Sequence, residues 1–238
     1  FTKQNNIQSS DIYNVAITPC TAKKYEINRP EIGGTNLVIT LNELVDVVAE
    51  KNINYEDIPE AEFDTFFPEG SGGGVIFGNT GGVMESALRT VYFFATGEEL
   101  PQITFQPVRG YEHVKEATLT IGNTFIKVCV IHQMNAAKPI IEAVKNGTSP
   151  YHFIEIMNCE GGCVGGGGQP KTDMTIDDQI KQSRIAGLYQ RDASLSIKAA
   201  HNNPHIIEIY KNYLEQPGSK IAHELLHTNY HSHNKKYY

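Results

Sequence analysis

The sequence predicts a mixed α/β fold: a partly parallel, twisted sheet flanked by helices, ending in a helical C-terminal tail. Three observations predict it. Two alternating runs, residues 117–121 and 125–131, flank the turn pair Gly122-Asn123 and read as a hairpin. A helical segment and a further apolar run at residues 153–157 come next, and strand–helix–strand order implies at least one parallel crossover. Beyond Pro170 the chain turns helical.

The elements follow in order. Thr40-Leu41-Asn42-Glu43 has capping-box spacing, and Leu41, Leu44, Val45 and Val48 recur at helical period, so a helix is expected over residues 41–50. An acidic, aromatic stretch at 55–67 leads into a glycine-rich loop at 68–74. Val83, Ala87, Leu88 and Val91 mark a second helix, stopped at Gly97. After the hairpin, residues 135–145 read as a helix closed at Gly147, and 153–157 as a buried strand. Tail helices are expected to start near Thr175, at Asn203-Pro204 and after Ser219, the second from proline at the first helical position.

A chain of 238 residues can bury a sizeable core in one large or two small domains. The net charge of −7, with both signs interspersed, argues against nucleic acid and against a polybasic membrane patch. Apolar runs such as 91–95 and 128–131 are far shorter than the roughly 20 residues of a membrane span. Four cysteines make a poor disulfide framework and suit a reducing compartment, so a cytoplasmic location is expected.

The most informative stretch is the strand 153–157 running into Asn158-Cys159-Glu160-Gly161-Gly162-Cys163-Val164 and then four glycines and Gln169-Pro170. Thiolates are soft ligands for zinc, copper or iron–sulfur clusters, and glycines let a backbone approach a cluster closely. The four-residue step differs from the C-x-x-C of zinc knuckles and redox dithiols. A third thiol, Cys20, is followed three residues later by Lys23, a cation suited to an anionic ligand.

Together these segments closely resemble the iron-only, or [FeFe], hydrogenases. Thr18-Pro19-Cys20-x-x-Lys23-x-x-Glu26 is similar to the family's second signature, and Met157-Asn158-Cys159-x-x-Gly162-Cys163 running to Gln169-Pro170 to its third. Ile76-Phe77-Gly78-Asn79-Thr80-Gly81-Gly82-Val83-Met84-Glu85 matches a further motif. The tail resembles the family's small-subunit-like ending through Arg184-Ile185-Ala186-Gly187-Leu188-Tyr189 and His223-Glu224-Leu225-Leu226-His227-Thr228. The resemblance covers nearly the whole chain, with its motifs in order.

The resemblance implies one lobe of a hydrogenase catalytic domain at residues 1–174 and a helical small-subunit-like segment at 175–238. It implies that Cys20, Cys159 and Cys163 bind the 4Fe-4S cubane of the H-cluster, with Cys163 also bridging to a two-iron subsite. Lys23 would hydrogen-bond a cyanide of that subsite, and Pro19, Phe77, Gly78 and Met157 would line the pocket. The reaction implied is reversible oxidation of H2 to protons and electrons, with a ferredoxin-like electron carrier as partner.

The family's first signature, T-S-C-C-P, should precede Cys20, and no cysteine does. The sequence is therefore expected to be the C-terminal part of a hydrogenase, lacking the N-terminal part of the catalytic domain. Its H-cluster is expected to be absent or incomplete, and the isolated chain inactive. Thr18 and Asn158 stand where the family has methionine and alanine.

Other readings compete at particular residues. Cys129, inside 127–131, reads as a buried core thiol rather than a missing ligand. The loop 77–82 precedes a helix as a phosphate cradle would, but it lacks the Lys-Ser/Thr of a P-loop. His223-Glu224-Leu225-Leu226-His227 is a literal H-E-x-x-H, with His233 at third-ligand spacing, so a zinc protease is one alternative. Tyr230 replaces the glycine of that longer pattern, which favours an amphipathic tail helix. A hydrogenase-like iron–sulfur assembly or sensory protein is the other alternative.

Overall fold

A computed structural model describes residues 2–61, 69–103, 105–107, 113–171 and 178–231. The described helices are α1 (Thr2–Asn5), α2 (Lys23–Glu26), α3 (Leu41–Glu50), α4 (Gly72–Val75), α5 (Gly82–Thr96), α6 (Met134–Lys145), α7 (Asp178–Ser194), α8 (Pro204–Ile209) and α9 (Lys220–Leu226). The strands are β1 (Val15–Thr18), β2 (Leu37–Thr40), β3 (Gln106–Pro107), β4 (Val114–Ile121), β5 (Thr124–His132) and β6 (Phe153–Met157). Thr175, where a tail helix was expected to start, part of the 55–67 stretch and Pro68 lie outside the described residues. The chain divides into two compact units.

The first unit gathers residues 1–59, 167–170 and 210–238. Its sheet is a parallel pair, Val15 opposite Leu37 through Thr18 opposite Thr40. This pair was not anticipated: four-residue runs beside a cap give little periodic signal. Thr40 ends β2 and starts α3 in one step. Its hydroxyl accepts from the Glu43 N–H, and the Glu43 carboxylate accepts from the Thr40 N–H at 2.9 Å. That closes the expected capping box.

The second unit holds residues 60–166 and 171–209. Its sheet runs β3-β4-β5-β6, with β4 and β5 an antiparallel hairpin and β5 and β6 parallel. The parallel step is made through α6, as strand–helix–strand order requires. Both faces are covered. Met84 and Leu88 of α5 pack on Ala117, Val128 and Val130, while Ala137 and Ile140 of α6 pack on Val114, Cys129 and Ile131. Residues 128–131 are therefore all buried, which explains why β5 is a continuous apolar run at that end. Gly97 stops α5 with φ of 76°, as a left-handed C-terminal glycine does.

Candidate functional site

In the second unit the C-terminal end of β6 delivers the cysteine loop, where ligands of open α/β sheets gather. After Met157 the chain folds back through a turn in which the Gly162 N–H donates to the Cys159 carbonyl at 3.1 Å. A 3-10 turn over Cys163–Gly165 follows. Gly161 and Gly162 take φ of 75° and 92°. At Gly162 a Cβ would fall 2.6 Å from the Thr80 nitrogen and 2.9 Å from the Gly78 carbonyl oxygen, so only glycine lets this loop seat on the 78–80 turn. The Thr80 N–H donates to the Gly161 carbonyl at 3.0 Å. From α7, Arg184 donates to the Val164 carbonyl at 2.9 Å, and Lys181 pairs with Glu160 at 3.3 Å.

Phe77 and Gly78 lie on this same face of the second unit. Gly78 is wedged against Leu188 of α7, where a Cβ would meet a methyl at 3.0 Å, while Phe77 is 46% exposed. Met157 is held by its backbone: its carbonyl accepts from Gln133, whose φ of 72° is costly for a non-glycine residue. So Phe77, Gly78, Met157, Cys159 and Cys163 all belong to one loop cluster. Cys159 is half-buried and Cys163 exposed.

In the first unit, Pro19 and Cys20 follow directly on β1, at the C-terminal ends of the parallel pair. Gly167 and Gly168, four and five residues after Cys163 in the chain, sit against them. The Gly168 N–H donates to the Pro19 carbonyl at 2.8 Å, and the Gly168 carbonyl accepts from Asn42 at 3.0 Å. A Cβ on Gly168 would come within 2.7 Å of the Thr40 side chain, and one on Gly167 within 3.2 Å of Thr21 Oγ1. Lys23 forms an ion pair with Glu26, one turn along α2. That hydrogen bond raises the Lys23 pKa, partial burial lowers it, and the Cys20 thiol adds a further upward push. Lys23 also lines a cavity of about 390 Å³ with Thr18, Glu26 and Tyr230.

The donor set fits an iron–sulfur group. All four cysteines are thiols; Cys20, Cys159 and Cys163 are accessible to differing degrees, the last two on a glycine-rich loop, and soft thiolates suit iron. Cys129 is fully buried, and burial pushes its thiol up to about 11, so it belongs to the core as expected. Within either unit, among the described residues, no three His, Cys, Asp or Glu side chains are grouped as a metal ion would need. That includes the tail. His223 and His227 are exposed and turn their Nδ1 atoms on each other at 2.7 Å, while Glu224 faces Lys220 at 3.8 Å. His233 lies outside the described residues.

Two groups that position the site escaped the sequence reading. Glu155, buried on β6, accepts from the N–H groups of Gly81 at 2.6 Å and Met84 at 2.7 Å, anchoring the start of α5. Burial raises its pKa and these two bonds oppose the rise. A single acid inside an apolar strand was the available signal. The second is Arg89, bidentate to Asp192 at 2.9 and 2.7 Å and bonded to Glu85 at 2.7 Å. Tyr189 extends this network by donating to Glu85 at 3.0 Å, and Asn79 donates to the Tyr189 hydroxyl at 3.3 Å. It thereby ties α5 and α7 to the 78–80 turn.

Residues 1–167 match the family model for the iron only hydrogenase large subunit, C-terminal domain, and residues 178–233 match that for the iron hydrogenase small subunit. Iron hydrogenase 1 of Clostridium pasteurianum is 39% identical over 95% of this chain and 41% of its own length. The cytosolic Fe-S cluster assembly factor narfl of Danio rerio is 27% identical over 98% of this chain and 58% of its own. Among solved structures, an [FeFe]-hydrogenase HydA1 from Chlamydomonas reinhardtii superposes with a TM-score of 0.81 at 35% identity, covering 96% of this chain and 65% of that one. The chain thus spans less than half the length of the clostridial relative.

Proposed function

The chain belongs to the iron-only hydrogenase family, and from that membership we propose that it is part of a catalytic domain interconverting H2 with protons and electrons. In this reading Cys20, Cys159 and Cys163 would supply thiolates to a 4Fe-4S cubane, with Cys163 nearest the two-iron subsite by the family resemblance. When bound, the cluster supplies the electron path and the iron site at which hydrogen is handled. The chain's own residues hold, polarise and shield it. Lys23, kept as an ammonium by Glu26, offers a charge-assisted hydrogen bond to an anionic diatomic ligand. By the family resemblance Pro19, Phe77, Gly78 and Met157 would line the pocket, where exclusion of water would strengthen electrostatic contacts.

The observation that carries this reading is the seat of Gly167 and Gly168 on Pro19 and Thr21. The glycine tail of one cysteine signature meets the residues of the other, held by the Gly168 N–H on the Pro19 carbonyl, and a Cβ on Gly168 would lie 2.7 Å from the Thr40 side chain. A division near residue 174, a ferredoxin-like electron carrier, a further N-terminal part of the domain and a cytoplasmic location belong to the same proposal.

A second reading, a hydrogenase-like assembly or sensory protein, draws on Thr18. It lines the Lys23 cavity where the family has methionine, and the Danio rerio relative extends over nearly the whole chain. Anaerobic maturation of the full-length protein separates the two. Infrared bands of bound CO and cyanide together with hydrogen evolution support the enzyme. A cubane without those bands supports the second reading, and stoichiometric zinc without sulfide would sink both.

A further inference from the structure

The second unit contains a cavity of about 400 Å³ at the C-terminal ends of β5 and β6, walled by Thr80, Lys115, His132 and Lys181. The sheet register builds its floor. Lys115, Val130 and Glu155 stand in one row across three strands, and His132 and Met157 in the next. Glu155 spends both oxygens on the Gly81 and Met84 N–H groups, so Lys115 feels its field without pairing to it. Among the described residues the Lys115 ammonium makes no hydrogen bond or ion pair.

Two further polar atoms of the wall lack partners. Thr80 Oγ1 and His132 Nδ1 are buried without a hydrogen bond, and Thr80 is only 6% exposed. Buried polar atoms are almost always partnered, so this cavity is shaped for a guest that supplies the partners. An ammonium can only donate, and a hydroxyl and an imidazole nitrogen can each donate, so a guest rich in acceptors satisfies all three at once. A cation does not suit a wall with two lysines. Glu160 and Asp178 are already turned to Lys181, at 3.3 and 2.6 Å. Both acids are more exposed than Lys181 and stand where water screens them. Water alone would satisfy hydrogen bonds but give the Lys115 ammonium no counter-charge in contact with it. Burial lowers the pKa of both Lys115 and His132, the response of groups whose charged forms are poorly solvated there.

We propose that this cavity binds a small oxyanion, of the phosphate, sulfate or carboxylate class, seated on Lys115, Thr80 and His132. The cavity borders the cysteine loop, since Glu160 and Gly161 also line it, but no cysteine is among the proposed anion ligands, and the test reads binding rather than turnover. Equilibrium dialysis of radiolabelled inorganic phosphate against the full-length protein, at constant ionic strength, should give saturable binding of one anion per chain. Lys115→Met should weaken it about tenfold or more through loss of a charge-assisted bond, and Thr80→Val about threefold through loss of a neutral one. Competition by sulfate and by acetate ranks the three chemistries. Crystals soaked in selenate should show anomalous density between Lys115 and Thr80, a readout that stands even where a variant fails to fold. Absence of saturable binding up to on the order of 10 mM, a negligible affinity on this scale, overturns the proposal. So does binding that both variants leave unchanged, or a cavity filled by ordered water alone after the soak.

Discussion

Lys23 and Arg89 are both held by carboxylates, yet removing each has a different consequence. Lys23 is half-exposed, and its ion pair with Glu26 keeps it charged at the edge of a cavity. If it faces a cyanide-bearing unit in the full-length protein, Lys23→Asn leaves a buried anion unpaired, at a cost of about 2 kcal/mol or more. We expect the CO and cyanide infrared bands to vanish from the matured variant while the cubane signal persists. Bands of normal intensity would reduce Lys23 to a surface side chain. Arg89 and Asp192 are buried at both ends, with side-chain exposures of 14% and 11%, so their pairing is structural. Asp192→Ala leaves Arg89 with Glu85 and the Lys198 carbonyl only and should destabilise the protein by about 3 kcal/mol, read from a denaturant midpoint at unchanged slope. A loss under about 0.5 kcal/mol, the level of an ordinary surface change, would contradict that assignment.

Elements begin and end here on single residues. Glu43 closes the α3 cap, and its bonds to Lys24 and Thr40 lower its pKa from 4.5 to about 2. A depressed carboxylate contributes stability above its unfolded pKa and loses it as pH falls through the folded value. The difference in melting temperature between wild type and Glu43→Gln should therefore be full above pH 4.5 and gone by about pH 2. A difference constant across that range would show that the cap is not what holds Glu43. Two glycines of α5 make a second comparison. Gly97 has open space around it, so Gly97→Ala meets only left-handed backbone strain, about 1 kcal/mol. At Gly82 a Cβ would lie 1.7 Å from the Ile76 carbonyl oxygen. Gly82→Ala must move backbone and should cost about 3 kcal/mol or more, with loss of the 76–80 turn seen as faster amide exchange there. Equal effects at the two positions would refute this packing.

The whole chain offers three reachable thiols, since Cys129 is sealed between β5 and α6. A four-iron cubane takes four cysteines. Anaerobically purified chain of this sequence should then carry less than one cluster by iron and sulfide analysis. A fully loaded six-iron site with hydrogen evolution would overturn that expectation. Among the described residues no helix is long and apolar enough to cross a membrane.

Local chemistry is what the sequence determined by itself. Thr40 with Glu43, Gly97, the Gly122-Asn123 turn, Asn203-Pro204 and Ser219 each act within a few residues, and each element they mark is present. The two cysteine signatures were legible for the same reason, because their spacing is short and their chemistry is carried by residue type. Partners far apart in the chain were decided only by tertiary structure. The β1–β2 pair joins residues about twenty apart, Glu155 caps a helix that begins more than seventy residues earlier, and Asp192 meets Arg89 across 103 residues. The first unit is assembled from three separate segments, which no local pattern could announce. Periodicity reports which face of an element is buried, whereas its partner is chosen by packing, hydrogen bonding and charge once the chain has folded.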